Sequence, residues 1–275
     1  MDFEKWQALG NDYLIVEKRA LPFELTSARI QSICAAHTGV GADGVLLLSG
    51  AEPPRMQVFN PDGSEAEISG NGARQAILYL YRHGYTGAIQ TAAGELRPTI
   101  TSPTTCTVDL GRTRLQSDDY PGGPPDGVGE LRAGGHTWRF QHVQVGNPQC
   151  AIRMTGEQEL EDLDLQEIGP EIEHHELFPN RTNVSWFTTL APGRIRARIF
   201  ERGVGETSAS GTGAAGAAVA YVCQDGSSPV TVVLDGGELE VDVREDFALA
   251  LSGWAVPVFR GTVADELVEE LRAVE

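Results

Sequence analysis

The chain has 275 residues, 41% of them hydrophobic, and a formal net charge of −18 from 21 Lys and Arg against 39 Asp and Glu. That length suits two domains, each able to bury a core of its own. The acidic balance argues against nucleic acid or an anionic membrane as partner, so any anionic substrate must be captured by local positive potential.

The first residues, MDFEKWQALGND, carry no basic segment followed by an apolar stretch, and no run is long enough to span a bilayer. A soluble, cytoplasmic protein is expected. The four cysteines (Cys34, Cys106, Cys150, Cys223) are scattered without a CxxC pair, which signals neither a zinc knuckle nor a disulfide framework.

In chain order, Ser27 to His37 predicts an amphipathic helix with Ile30, Ile33, Cys34 and His37 on one face. Gly39-Val40-Gly41-Ala42-Asp43-Gly44 matches GxGxxG, but it follows a helix and precedes the strand VLLL, the reverse of a dinucleotide site. It reads as a helix C-terminal glycine and a turn. MQVF predicts a strand, Ala73 to Tyr81 a helix apolar nearly all round, and TCTVDL another strand. The glycine- and proline-rich stretch 118–130 reads as a linker. TWRFQHVQV and CAIRM are strands, and His174-His175 in EIEHHELFPN is a surface turn that lacks a third convergent metal ligand. No metal site is expected. Arg194 to Ile199 and Glu238 to Val243 alternate with period two, the mark of antiparallel strands with one solvated face. Between them, Ala214 to Cys223 is a second helix apolar on every side, hence buried on every side. VTVVL and FALAL complete the strands. A final helix, Thr262 to Val274, carries Val263, Leu267, Leu271 and Val274 on one stripe that can pack back on the first domain.

One pattern occurs twice. EAEISGNGARQA at 65–76 and ETSASGTGAAGA at 206–217 align without a gap at an offset of 141, and the match extends upstream to Phe59 and Phe200. Gly94-Glu95-Leu96 and Gly237-Glu238-Leu239 echo it at an offset of 143. A period of half the chain points to a duplicated domain rather than a solenoid. The expected fold is α+β, with two pseudo-symmetric domains, each a mostly antiparallel sheet wrapped around a central buried helix. The first domain is expected to span 1–117 plus 260–275 and the second 118–259, with the active site in the cleft between them.

Each copy opens a helix with Ser-Gly-x-Gly. Serine is a good N-cap and the glycines allow the tight entry, a sufficient structural account for one copy. Two such ends facing one cleft could hold one carboxylate on free N–H groups, with a hydroxyl on either face of the neighbouring carbon. That arrangement suits inversion at a carbon acidified by a carboxylate, one group removing a proton and its opposite number delivering another. No cofactor is needed.

The blocks ALGNDY, HTGVGADGVLLL, FNPDGSEAEISGNGAR, TAAGE, VGNPQCAI, FPNRTNVSWF, FERGVGETSASGTGAAGAA and LDGGELEV occur in this order. Together they resemble the cofactor-independent diaminopimelate epimerases, relatives of proline racemase and the phenazine-pathway isomerases. The resemblance implies an isomerase that interconverts LL- and meso-diaminopimelate for lysine and peptidoglycan precursors. It implies substrate contacts at Asn11, Asn60, Asn147, Asn183, Glu201 and Arg202, and helix-end carboxylate binding at Gly70, Asn71, Gly211 and Thr212. A small amino-acid substrate, diaminopimelate, is the expected partner, and a homodimer is the expected assembly. Where the family has its two catalytic cysteines, this chain has Ser69 and Ser210. Gln75, Ala215 and Gln149 are further departures.

Three accounts of the serines stay open at this level. They could stand in for cysteines in an inactive epimerase. They could be natural, with Glu65, Glu206 or another neighbour as base, or serve a racemase or dehydratase of the same superfamily acting on another amino acid. Or the protein could bind an amino acid or diamino diacid without turnover.

Overall fold

A computed structural model describes residues 1–66, 69–224 and 226–274. In chain order its strands begin with β1 (Asp2–Ala8), β2 (Asn11–Glu17), β3 (Val45–Ser49), β4 (Arg55–Phe59), β5 (Glu65–Ala66) and β6 (Ile89–Thr91). Next come β7 (Gly94–Leu96), β8 (Pro98–Ser102), β9 (Thr105–Arg112), β10 (Val128–Ala133), β11 (His136–Gln144), β12 (Pro148–Arg153) and β13 (Asn183–Ala191). The last are β14 (Arg194–Glu201), β15 (Gly205–Thr207), β16 (Val230–Leu234), β17 (Gly237–Val243), β18 (Ala248–Trp254) and β19 (Val256–Thr262). The helices are α1 (Ser27–Cys34), α2 (Gly70–Arg82), α3 (Glu157–Glu161), α4 (Leu165–Glu173), α5 (Gly211–Cys223) and α6 (Asp265–Ala273). The result is an α+β fold of two sheet-rich units, Met1–Val108 with Gly253–Glu275, and Asp109–Ser252. The division falls inside β9 and inside β18, and the 118–130 stretch lies within the second unit.

The sheet of the first unit runs β19-β1-β2-β3-β4-β6-β7, with β5 beside β4. That of the second runs β10-β11-β12-β13-β14-β16-β17-β18, with β15 beside β14. The strand directions repeat as well. β1–β2 and β11–β12 are antiparallel, and β2–β3 and β12–β13 parallel. β3–β4 and β13–β14 are antiparallel, β4–β6 and β14–β16 parallel, and β6–β7 and β16–β17 antiparallel. The repeated motif is therefore the visible part of a repeated topology. β19, returning from the chain's end, takes in the first sheet the place that β10 takes in the second.

Each sheet packs on its own helix. α2 lies against β1, β2, β3, β4 and β19, while α5 lies against β11 through β14, β16 and β17. α5 is lined by alanine and glycine and is buried from Gly213 through Tyr221. A Cβ on Gly216 would come within 2.8 Å of the Gln149 Cβ, so that approach requires glycine. α2 is less uniform than its apolar run suggests, because Asn71, Arg74 and Gln75 are buried among its hydrophobic residues.

The first core gathers Phe3, Leu14, Ile30, Ile33, Val263 and Leu271, so α6 packs on the first unit beside α1. The second gathers Phe140, Trp186, Phe200, Leu165, Ile168 and Ile172, the last three from α4. Full burial of one such side chain stabilises by about 1.5–3 kcal/mol.

Several local expectations need correction. α1 stops at Cys34, leaving His37 exposed, because the chain turns there: Gly39 N–H donates to Ala35 O at 2.9 Å, and a Cβ on Gly39 would strike Ser32 O. α6 begins at Asp265, since Thr262 is held in β19 opposite Asp2. Of the arginines of β14, Arg194 stays half-exposed beside Glu238, but Arg196 and Arg198 do not face solvent. Arg196 is buried and pairs with Glu161 at 2.7 Å and with Asp235, and Arg198 pairs with Glu206 at 2.6 Å. Alternation reports the pleat, and here acidic residues from α3, from β15 and from the turn at Asp235 cover the polar face. α3 and α4 themselves were not legible from periodicity, α3 being a single short turn and α4 containing Pro170.

Candidate active site

The two repeated serines occupy the same local position. Ser69 caps α2 from extended backbone (φ −126°, ψ 123°), and its Oγ accepts from Gly72 N–H at 3.0 Å. Ser210 caps α5 (φ −135°, ψ 125°), and its Oγ accepts from Gly213 N–H at 3.2 Å. Each hydroxyl thus satisfies one of the free N–H groups of a helix start and sits in the positive end of the helix dipole. A glycine, Gly72 or Gly213, follows three positions on in both, and at each a Cβ would crowd a core side chain, Leu46 in the first unit and Ile199 in the second.

Their further partners differ. Tyr13 Oη donates to Ser69 Oγ at 3.3 Å. Ser210 donates to the carboxylate of Glu201, which also accepts from Thr207 Oγ1 at 3.3 Å. Burial pushes the Glu201 carboxyl above the usual carboxylate range, and the hydrogen bonds from Ser210 and Thr207 pull it back only in part. Glu206 is engaged by Arg198, and Glu65 accepts from Gln57 at 3.0 Å. Among the described residues, Glu201 is therefore the carboxylate that touches a repeated serine.

In the second unit Asn183 and Arg202 belong to one hydrogen-bonded group, and Asn147 and Thr212 to another. Asn183, buried, donates to Pro148 O at 2.9 Å and accepts from Arg202 N–H at 2.9 Å. Arg202 is further anchored by a guanidinium bond to Asn180 O at 2.8 Å. Asn147 donates to Thr212 Oγ1 at 3.3 Å, in the first turn of α5 beside buried Gly211, and accepts from Gln149 Nε2 at 2.7 Å. Gln149 thereby fixes which way the Asn147 amide faces.

The first unit is organised around α2. Asn11 donates to Asp43 Oδ2 at 3.1 Å, and its backbone carbonyl accepts from Gln75 Nε2 at 3.0 Å. Asn71 Oδ1 and Gly70 O both accept from the guanidinium of Arg74. Asn60 keeps its hydrogen bonds inside its own turn, with Ser64. Gln75 and Gln149, two of the departures from the family pattern, thus occupy equivalent tasks: each holds an expected substrate-contact asparagine, and each has a buried Oε1 without a partner. Sequence reasoning missed Tyr13 and Arg74 as parts of the site. The first is separated from Ser69 by 56 positions, and the second sits in a run that reads as core.

A two-unit fold in which each sheet surrounds a serine-capped helix defines the class. It is the fold of a probable proline racemase from Agrobacterium radiobacter K84 (TM-score 0.67, 14% identity, covering 96% of this chain and 93% of that one). It is equally that of a Bacillus anthracis phenazine biosynthesis protein of the PhzF family (TM-score 0.66, 17% identity, 96% and 99%). The sequence narrows the class. The profile of the family described as diaminopimelate epimerase matches residues 3–116 and 141–256. A diaminopimelate epimerase from Synechococcus sp. (strain JA-3-3Ab) is 40% identical over 281 residues, covering 96% of this chain and 99% of that protein. One from Magnetococcus marinus is 40% identical over 271 residues, covering 94% and 95%. The chain belongs to the diaminopimelate epimerase family.

Proposed function

We propose that the protein interconverts LL- and meso-diaminopimelate by proton transfer at the α-carbon, without a cofactor, supplying lysine and peptidoglycan precursors. Ser69 and Ser210 stand at the two acid/base positions. Asn11, Asn60, Asn147, Asn183, Glu201 and Arg202 surround the substrate, and the helix ends at Gly70-Asn71 and Gly211-Thr212 hold its reacting carboxylate. The observation that carries the reading is the hydrogen bond from Ser210 to Glu201.

A serine alone is a poor carbon base. Relative to a thiol, a hydroxyl about five pKa units less acidic costs roughly 7 kcal/mol to ionise, of which a helix end recovers on the order of 1–2 kcal/mol. Glu201 removes the need for a free alkoxide. As Ser210 Oγ takes the α-proton, its own proton passes to the Glu201 carboxylate, whose affinity for protons burial has raised. Ser69, partnered by the Tyr13 hydroxyl, delivers a proton to the opposite face and draws its replacement from the phenol. The carbanion's charge moves into the carboxylate, which helix N–H groups stabilise. Inversion by this route requires both serines to address opposite faces of one carbon.

A second reading rests on the hydroxyls themselves: a homologue that binds a diamino diacid without turning it over. Incubation with LL- or meso-diaminopimelate in D₂O, with α-proton loss followed by NMR, separates the two. Exchange above buffer controls supports the epimerase. A ligand-raised melting temperature without exchange supports the binder.

A further inference from the structure

Arg74 is fully buried, and among the described residues it pairs with no carboxylate. Its Nη1 donates to Gly70 O at 3.1 Å and its Nη2 to Asn71 Oδ1, while Nε has no partner. Among the described residues, Cys106 is the titrating group that acts on it; burial pushes that thiol up to about 12, so it is neutral at physiological pH. Arg74 is itself lowered by burial, to about 10, and so stays cationic there. An uncompensated buried charge costs several kcal/mol, and chains retain one where something repays it.

Helical side chains lean toward the helix N-terminus, and Arg74 does so over one full turn, reaching acceptors three and four residues back. Its charge therefore lies beside the first turn of α2, on the protein side, where the free N–H groups and the helix dipole already favour an anion on the open side. The equivalent position in α5 is Ala215, so only one of the two repeated helix ends is reinforced in this way.

We infer that Arg74 is a positioning residue that makes the α2 end the stronger of the two anion sites: its buried charge finds its counter-ion in the substrate's carboxylate, and its two hydrogen bonds hold Gly70 and Asn71 in the binding geometry. The carboxylate as ligand rests on the function proposed above; the anion preference of the α2 end does not.

The test measures binding of meso-diaminopimelate, and separately of sulfate as a simple anion, to the full chain by calorimetry at constant ionic strength. Arg74→Gln keeps a donor and removes the charge, whereas Arg74→Met removes both. Both are expected to bind each ligand at least roughly tenfold more weakly, the size of one partly screened charge at short range. Their ligand-free melting temperatures are expected to hold or rise, because a buried charge has been removed. Arg74→Lys is expected to recover most of the affinity at pH 6 and to lose it by pH 9, since burial depresses a lysine and its charged form persists only at the lower pH. Wild-type affinity in Arg74→Gln, or no recovery in Arg74→Lys at pH 6, overturns the inference. Charge-dependent sulfate binding without diaminopimelate binding upholds Arg74 and sinks the substrate reading. A wild type that binds neither overturns both.

Discussion

Replacing Glu201 by glutamine isolates the proton acceptor from the rest of the site. The amide is nearly isosteric and can still accept from Thr207 Oγ1, 3.3 Å away in the parent, but it cannot take the Ser210 proton. General base catalysis is worth about 10²–10⁴ in rate, so α-proton exchange should fall by that factor, or roughly 3–5 kcal/mol of transition-state stabilisation. The pH dependence carries the sharper signature. Because the folded carboxyl is raised by burial, the unprotonated base appears only above the ordinary glutamate range, and exchange should climb with pH through that raised value. The glutamine variant should lose this limb. Stability should respond in the opposite sense: a carboxyl raised in the folded state opposes folding once pH exceeds its unfolded pKa, so the variant should melt higher at neutral pH. The assay is deuterium incorporation from D₂O across pH 4–9 with thermal melts of both proteins. Unchanged exchange with an unchanged pH profile would refute the Ser210–Glu201 relay.

Other outcomes follow from the same geometry. Ser69→Cys with Ser210→Cys should raise exchange on diaminopimelate by orders of magnitude, because a thiol at a helix start ionises near neutrality; a double variant inert on that substrate would sink the substrate assignment. Tyr13→Phe should slow exchange on diaminopimelate, since it removes the 3.3 Å hydrogen bond to Ser69. Gly216→Ala should cost stability and ligand affinity together, because the new methyl meets Gln149 at 2.8 Å and displaces the amide that orients Asn147. His142, buried beside Ser117, is held down to about 4 by desolvation. The unfolded chain then binds a proton that the folded one refuses, so stability should fall as pH drops from 6.5 toward 4, by about 3 kcal/mol in the limit. His142→Gln should flatten that slope in denaturant titrations.

The sequence alone determined the duplication and what it repeats. A gapless offset of 141 residues, and two helices apolar on nearly every side, were enough to require two sheets each closed around its own helix, and the matching strand directions follow that plan. It also marked Ser69 and Ser210, since a serine before two closely spaced glycines at a helix start is a local signal. Local patterns could not say who touches those hydroxyls. Tyr13 reaches Ser69 because its strand, β2, packs against α2, and Glu201 reaches Ser210 because β14 turns back through β15 into α5. Period-two alternation likewise placed Arg196 and Arg198 on a solvated face, whereas carboxylates brought over from other segments bury them. Arg74 and Gln75 read as tolerated polar positions on a core helix, and only packing revealed them as donors to Gly70, Asn71 and Asn11. Periodicity records which face a residue takes, but the partner on that face comes from elsewhere in the chain, and the sheet order chooses it.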